Sequence, residues 1–228
     1  VTVVDALNIE VQQGELFSLL GVNGAGKTTT IKMLSCLSRP TSGDALLSGN
    51  SIVHQPAAVK ALIGVSPQET AVAPNLTAKG KSGTDVRRPR HLRGASPPAS
   101  FSAVQSPGPW GGFCRKKAGK LSGGWQRRVS IAMALVSQPE ILFLDEPTLG
   151  LDVLARSELW DCIRILKGTV TIILTTHYME EAEALSDRVG IMKAGRLLTV
   201  ATCAELLEKT GASRLEDAFI GVVRGTMP

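Results

Sequence analysis

No stretch of this chain approaches the roughly 18 consecutive apolar residues that a membrane-crossing helix needs, so a spanning helix is excluded and a soluble chain is expected. No basic and apolar leader opens the sequence, and no secretory signal is expected. Its first residue is Val1 rather than Met, inside a pattern already under way, so an upstream portion is expected to be missing. Cysteine is sparse: Cys36, Cys114, Cys162 and Cys203 stand far apart with no metal-ligand spacing. A disulfide framework and a thiolate metal site are therefore excluded, and a reducing compartment fits. Internal repeats and heptads are lacking too. A length of 228 residues bounds the chain to one substantial α/β core with room for a small satellite, not two full domains.

Acidic residues are lacking in one place. The net charge of +5 suggests an anionic partner until it is located. Residues 79–120 hold ten Lys or Arg against the single acid Asp85, a local balance of +9, which leaves the rest of the chain at −4. The same segment contains five Pro and seven Gly, and its apolar residues keep neither helix nor strand period. Disorder or an irregular excursion is the physical reading, although a loop of that length is rare inside a compact domain.

Elsewhere the pattern is regular. Residues 1–12 alternate loosely, with Val1, Val3, Leu7, Ile9 and Val11 apolar, which predicts edge strands of an antiparallel layer. The apolar run 16–20 predicts a buried strand, and residues 28–37 a helix. Between them stands Gly21-Val22-Asn23-Gly24-Ala25-Gly26-Lys27-Thr28, a match to G-x-x-x-x-G-K-[ST] in the strand-to-helix context that gives the motif its chemistry. Glycines let backbone N–H groups of Asn23, Gly24, Ala25 and Gly26 turn toward phosphate oxygens. Lys27 reaches the β and γ phosphates, and the Thr28 hydroxyl serves a Mg2+ shell. The helix start at Thr28 and Thr29 adds its positive dipole end.

A second apolar run, 141–144, leads into Asp145 and Glu146. At a strand end, one carboxylate can hold magnesium, directly or through water, and the next can orient an attacking water, which are the parts phosphoryl transfer needs. His177 follows the β-branched run 170–175 in the same way, and Gln68 follows the strand 62–66. Each alone is an ordinary strand-end residue; together they gather at the carboxyl ends of strands, where ligands bind in open α/β sheets. Leu121, Ser122, Gly123 and Gly124 precede a helix over 126–137 and offer a second anion-binding helix start. One nucleotide rarely needs two such sites, so a head-to-tail pair of copies is the economical arrangement.

These residues resemble the ATPases of ABC transporters. Residues 21–28 are similar to the Walker A loop of that family, Gln68 to its Q-loop glutamine and 121–125 to its signature sequence. Residues 141–146 resemble Walker B, 148–152 the D-loop and His177 the switch histidine. The resemblance covers nearly the whole chain except 79–120. It implies a P-loop NTPase core of the α/β class, with a mostly parallel central sheet, an N-terminal antiparallel β layer and a helical subdomain. The chain is then one domain over 1–228, with its nucleotide-binding core in 1–68 and 121–228 and the helical subdomain at 69–120.

The resemblance further implies ATP and Mg2+ as ligands. Glu146 would polarise the attacking water and His177 would stabilise the γ phosphate. Asp145, Thr28 and Gln68 would serve the cation, Lys27 would bind phosphate and Asp152 would couple two sites across the dimer. Partners would be a second copy or a homologous ATPase subunit and a membrane permease, which places the chain in the cytoplasm against the inner face of the membrane. The sequences 176–183 and 215–219 look most like the ABC-2 type exporter branch.

Departures from the family pattern are specific. No aromatic residue precedes Phe17 to stack on adenine; Trp125, Val22 and Val153 replace common family residues without removing a phosphate ligand. Residues 79–120 keep nearly the family length but lose the amphipathic helices that grip a permease. A compensated reading-frame shift, beginning near Ala78 and restored between Arg115 and Leu121, accounts for length without pattern. Two rival readings remain: a soluble ABC-type ATPase using the +9 segment on nucleic acid or ribosomes, against which the exporter-like residues after His177 speak, and a coupling-defective or inactive member.

Overall fold

Six consecutive buried residues, Leu16–Gly21, form strand β1 at the centre of the sheet. The computed structural model describes residues 2–69 and 121–226, and the expectations placed on residues 79–120 lie outside the described residues. In chain order there follow α1 (Lys27–Leu34), β2 (Leu46–Leu47), β3 (Asn50–Ser51), α2 (Pro56–Leu62) and β4 (Ile63–Ser66). After the break come α3 (Gly123–Leu135), β5 (Ile141–Asp145), α4 (Val153–Arg164), β6 (Thr171–Thr176), α5 (Met179–Leu185), β7 (Arg188–Lys193) and β8 (Arg196–Ala201). Helices α6 (Cys203–Thr210) and α7 (Leu215–Arg224) close the described chain.

The main sheet runs β4-β5-β6-β1-β7-β8, with every neighbouring pair parallel except β7 and β8. Both faces of β1 are covered, which is why its sequence is a continuous apolar run instead of an alternation. Leu16 joins Leu142, Leu144, Ile172 and Leu174 against Val129 and Ile131 of α3 and Leu159 and Ile163 of α4. Phe17 and Leu19 point to the opposite face, where Ala25, Met192 and the half-buried Leu7, Ile9 and Val11 meet them. Leu20 reaches a third cluster with Val189, Ile191 and residues of α6 and α7.

The mostly parallel sheet matches the sequence reading; the antiparallel part lies elsewhere than expected. Residues 2–12 form no ladder, and the Asp5 N–H donates to Gly195 O at 2.8 Å. Their alternation reports a face laid on Phe17 and Leu19, which needs no paired backbone. Antiparallel pairing instead occurs between β2 and β3 and between β7 and β8.

Register sets the functional edge. Leu20 lies opposite Thr176, Asp145 opposite Thr175 and Leu144 opposite Ser66. The residues that follow β1, β4, β5 and β6 therefore emerge at one level on one rim of the sheet.

Candidate functional site

The loop between β1 and α1 begins at a glycine that the packing requires. A Cβ on Gly21 would lie 2.7 Å from Met192 O and 2.9 Å from Ala25 Cβ, so any side chain would push the loop off the sheet. Gly26 caps α1 at φ 103°, a left-handed conformation that costs other residues free energy. The loop folds around its own lysine: Lys27 Nζ donates to Gly21 O at 2.7 Å and to Val22 O at 3.3 Å. Lys27 is buried, and burial pushes its ammonium pKa down, while the Glu146 and Asp145 carboxylates pull it up.

The carboxylates come from the end of β5. Asp145 Oδ1 accepts from Thr28 Oγ1 at 3.1 Å and from Thr175 Oγ1 of the neighbouring strand. Glu146 adopts φ 45°, uncommon for a residue with a side chain. Its N–H is held there by Thr175 O at 3.0 Å and Thr175 Oγ1 at 3.1 Å. That turn aims the Glu146 carboxylate at the loop, where Oε1 lies 3.5 Å from Lys27 Nζ and 3.3 Å from His177 Nδ1. A cavity of about 390 Å³ opens over these groups, bounded by residues 23–29, Gln68, Glu146 and His177, with Val3 and Leu149 at its margin.

Thr28, Asp145 and Gln68 are hard oxygen donors, the type Mg2+ takes. Thr28 and Asp145 are already in contact, and Gln68 borders the same cavity. Among the described residues no group of three or more His, Cys, Asp or Glu is arranged to hold a metal alone. That fits an ion whose remaining ligands are waters and phosphate oxygens.

The remaining sequence-predicted residues stand apart. Leu121, Ser122, Gly123, Gly124 and Asp152 are not among the residues bounding that cavity. They adjoin one another: a Cβ on Gly124 would meet Ala155 Cβ at 2.9 Å and one on Gly123 would meet Leu151 at 3.7 Å. Asp152 caps α4 by accepting from Ala155 N at 2.9 Å. Ser122 sits at the cap position of α3, yet its side chain makes no capping bond, and Ser122 and Gly123 are exposed.

Of the buried charged residues not singled out from sequence, two join the segments that carry the site. Arg127 of α3 donates to Pro67 O and Gln68 O, both at 2.7 Å, and to Glu146 O at 3.4 Å, binding the segment before the cavity to the end of β5. It shares a helix face with Ile131, four positions on, so a charge on the apolar face was the available signal. Glu181, fully buried in α5, is the other; the run Glu180-Glu181 reads as a solvated first turn, and only packing shows which acid is inside.

Residues 4–149 match the family model described as ABC transporter, and a second model, for an AAA domain, matches residues 118–181. The daunorubicin resistance ATP-binding protein DrrA3 of Streptomyces coeruleorubidus is 38% identical over 215 residues, covering 93% of this chain and 67% of that one. The doxorubicin resistance ATP-binding protein DrrA of Mycobacterium tuberculosis is 37% identical over 230 residues, covering 98% of this chain and 66% of that one. The chain thus spans about two thirds of the length of these relatives. The dimeric structure of a bacterial ABC transporter cassette superposes with a TM-score of 0.71 at 24% identity, over 88% of this chain and 90% of that one, and shares the fold. With the Lys27 loop, the Asp145-Glu146 strand end and this family match covering one set of residues, the chain belongs to the ABC transporter family.

Proposed function

We propose that the chain binds and hydrolyses ATP as the ATP-binding subunit of an ABC-2 type exporter. It works as a head-to-tail pair that drives a separate membrane permease. The observation that carries this reading is the convergence of Lys27, Thr28, Glu146 and His177 on one cavity, with Asp145 bonded to Thr28 and Ser122 exposed outside the cavity.

Each side chain has a task that its surroundings support. The loop N–H groups of residues 23–29 and Lys27 bind the β and γ phosphates. Phosphate binding gives Lys27 stronger partners than Glu146 and frees that carboxylate to accept a proton from the attacking water. His177, beside the same carboxylate, donates toward the γ phosphate. Thr28, Asp145 and Gln68 would hold Mg2+, which would supply positive charge against the negative charge developing in transfer. Ser122, Gly123 and Gly124 of the second copy close over the triphosphate, using a helix start that no capping side chain occupies.

On this reading the membrane path belongs to a separate permease and the chain acts from its cytoplasmic face; among the described residues no helix is long and apolar enough to cross a membrane. The DrrA names, drug-resistance ATP-binding proteins, support the exporter branch. Phosphate release from ATP by the purified chain, dependent on Mg2+ and removed by Glu146→Gln, tests the reading; release unaffected by that substitution contradicts it.

A further inference from the structure

Glu181 is fully buried, and the hydrolytic scheme above gives it no task. Its Oε1 accepts from Trp160 Nε1 of α4 at 3.2 Å. Thr176, the last residue of β6, and Thr148, in the loop after Glu146, present their hydroxyls to the same carboxyl. Yet Glu181 Oε2 and Thr148 Oγ1 are both buried and neither completes a hydrogen bond. The carboxyl therefore stands where three segments meet: the loop carrying Glu146 and Asp152, the strand end carrying His177, and helix α4 behind Asp152.

A second contact follows the same route on the outer side. The Arg156 guanidinium lies 4.5 Å over the Tyr178 ring, and that ring lies 4.2 Å from the His177 imidazole. Arg156 Nη1 also reaches Glu180 at 3.3 Å. Two residues of α4, one turn apart, thus grip the segment 177–181.

We infer that Glu181 is a positioning residue for the proposed ATP hydrolysis: it fixes the loop of Glu146 and Asp152 against the segment of His177, so that the two move as one unit when Asp152 meets a second copy. Packing alone does not account for a carboxyl here, because an aliphatic side chain would fill the space but leave the part-buried Trp160 N–H without its acceptor and give the Thr148 hydroxyl no polar neighbour. Burial pushes the Glu181 carboxyl upward against the pull of Arg156. A glutamine at this position keeps an acceptor for Trp160 Nε1 and adds an amide N–H donor.

The inference rests on the hydrolytic reading for its rate effect but not for its structural one, and the test separates them. Hydrogen exchange is followed at residues 147–152 and 176–178 in the parent chain, Glu181→Gln, Glu181→Leu and Trp160→Phe, beside ATP affinity and hydrolysis. In Glu181→Leu, exchange at both segments is expected to quicken about tenfold. Its kcat is expected to fall by roughly 20-fold with KM for ATP within about twofold, while Glu181→Gln stays within about threefold of the parent. Should the leucine variant not fold, Trp160→Phe, which removes only the N–H donor, is expected to lower kcat about threefold at unchanged KM. Unchanged exchange and kcat in a folded variant overturn the inference, as does a glutamine variant no better than leucine. If the parent releases no phosphate, the hydrolytic reading fails and the exchange measurement alone decides whether Glu181 joins the segments.

Discussion

Lys27 Nζ lies 3.5 Å from Glu146 Oε1, and both side chains are almost wholly shielded from water. The proposed phosphate-binding lysine and water-orienting carboxylate are thus each other's counter-charge, and removing either leaves the other buried without it. Lys27→Met is expected to lower stability by about 3–5 kcal/mol. The double variant Lys27→Met, Glu146→Gln should recover most of that in urea unfolding while ATP binding, which needs the ammonium, stays lost. Recovery of neither or both contradicts the pairing.

Arg127 joins Pro67 O, Gln68 O and Glu146 O. Its planar fork serves two carbonyls from two separate nitrogens, a fixed geometry that the single nitrogen of a lysine does not reproduce. Arg127→Lys is expected to cost about 2 kcal/mol and Arg127→Leu about 3 kcal/mol, because one buried and two part-buried carbonyls lose their charged donor. Urea midpoints check this; an unchanged Arg127→Leu midpoint would show that the guanidinium holds nothing in place.

Glu181 makes stability depend on pH in a direction opposite to that of most carboxylates. Burial raises its folded pKa above the ordinary 4.5, with Thr176, Thr148, Trp160 and Arg156 opposing and Arg127 the other cation acting on it. Its unfolded form loses the proton first, so stability falls as pH rises from about 4.5 to the raised folded value and is flat beyond. Glu181→Gln has no proton to lose, and its stability relative to the parent is expected to grow as pH rises from about 4.5 toward the raised folded value. A constant difference across that range contradicts the burial of an ionisable group.

Much of this site was legible in sequence because each element carries its chemistry in consecutive residues. The loop 21–28 and the pair Asp145-Glu146 each follow an apolar run, and parallel pairing brings such strand ends to one rim. Arg127 and Glu181 were not legible, since their importance lies in which distant backbone or side chain they meet. Residues 2–12 misled for a related reason: alternation records a buried face, while a ladder depends on a partner strand that spacing does not specify.

The basic, Pro- and Gly-rich composition of residues 79–120 predicts that nucleotide affinity is retained while turnover and permease docking are depressed, since a 1 Å displacement of catalytic groups can cost about a hundredfold in rate. A turnover rate typical of an intact family ATPase would contradict this. So would, for the frame-shift explanation, coding DNA in which no alternative frame across the segment yields amphipathic helices.

The central claim is that the Lys27 loop of one copy and the Ser122 loop of another form one ATP site. Light scattering of Glu146→Gln protein, with and without Mg-ATP, tests it most directly. A stable dimer that forms only with nucleotide, and is lost on Ser122→Arg substitution, is the predicted result; a monomer at every ATP concentration, or a dimer indifferent to ATP, would contradict it.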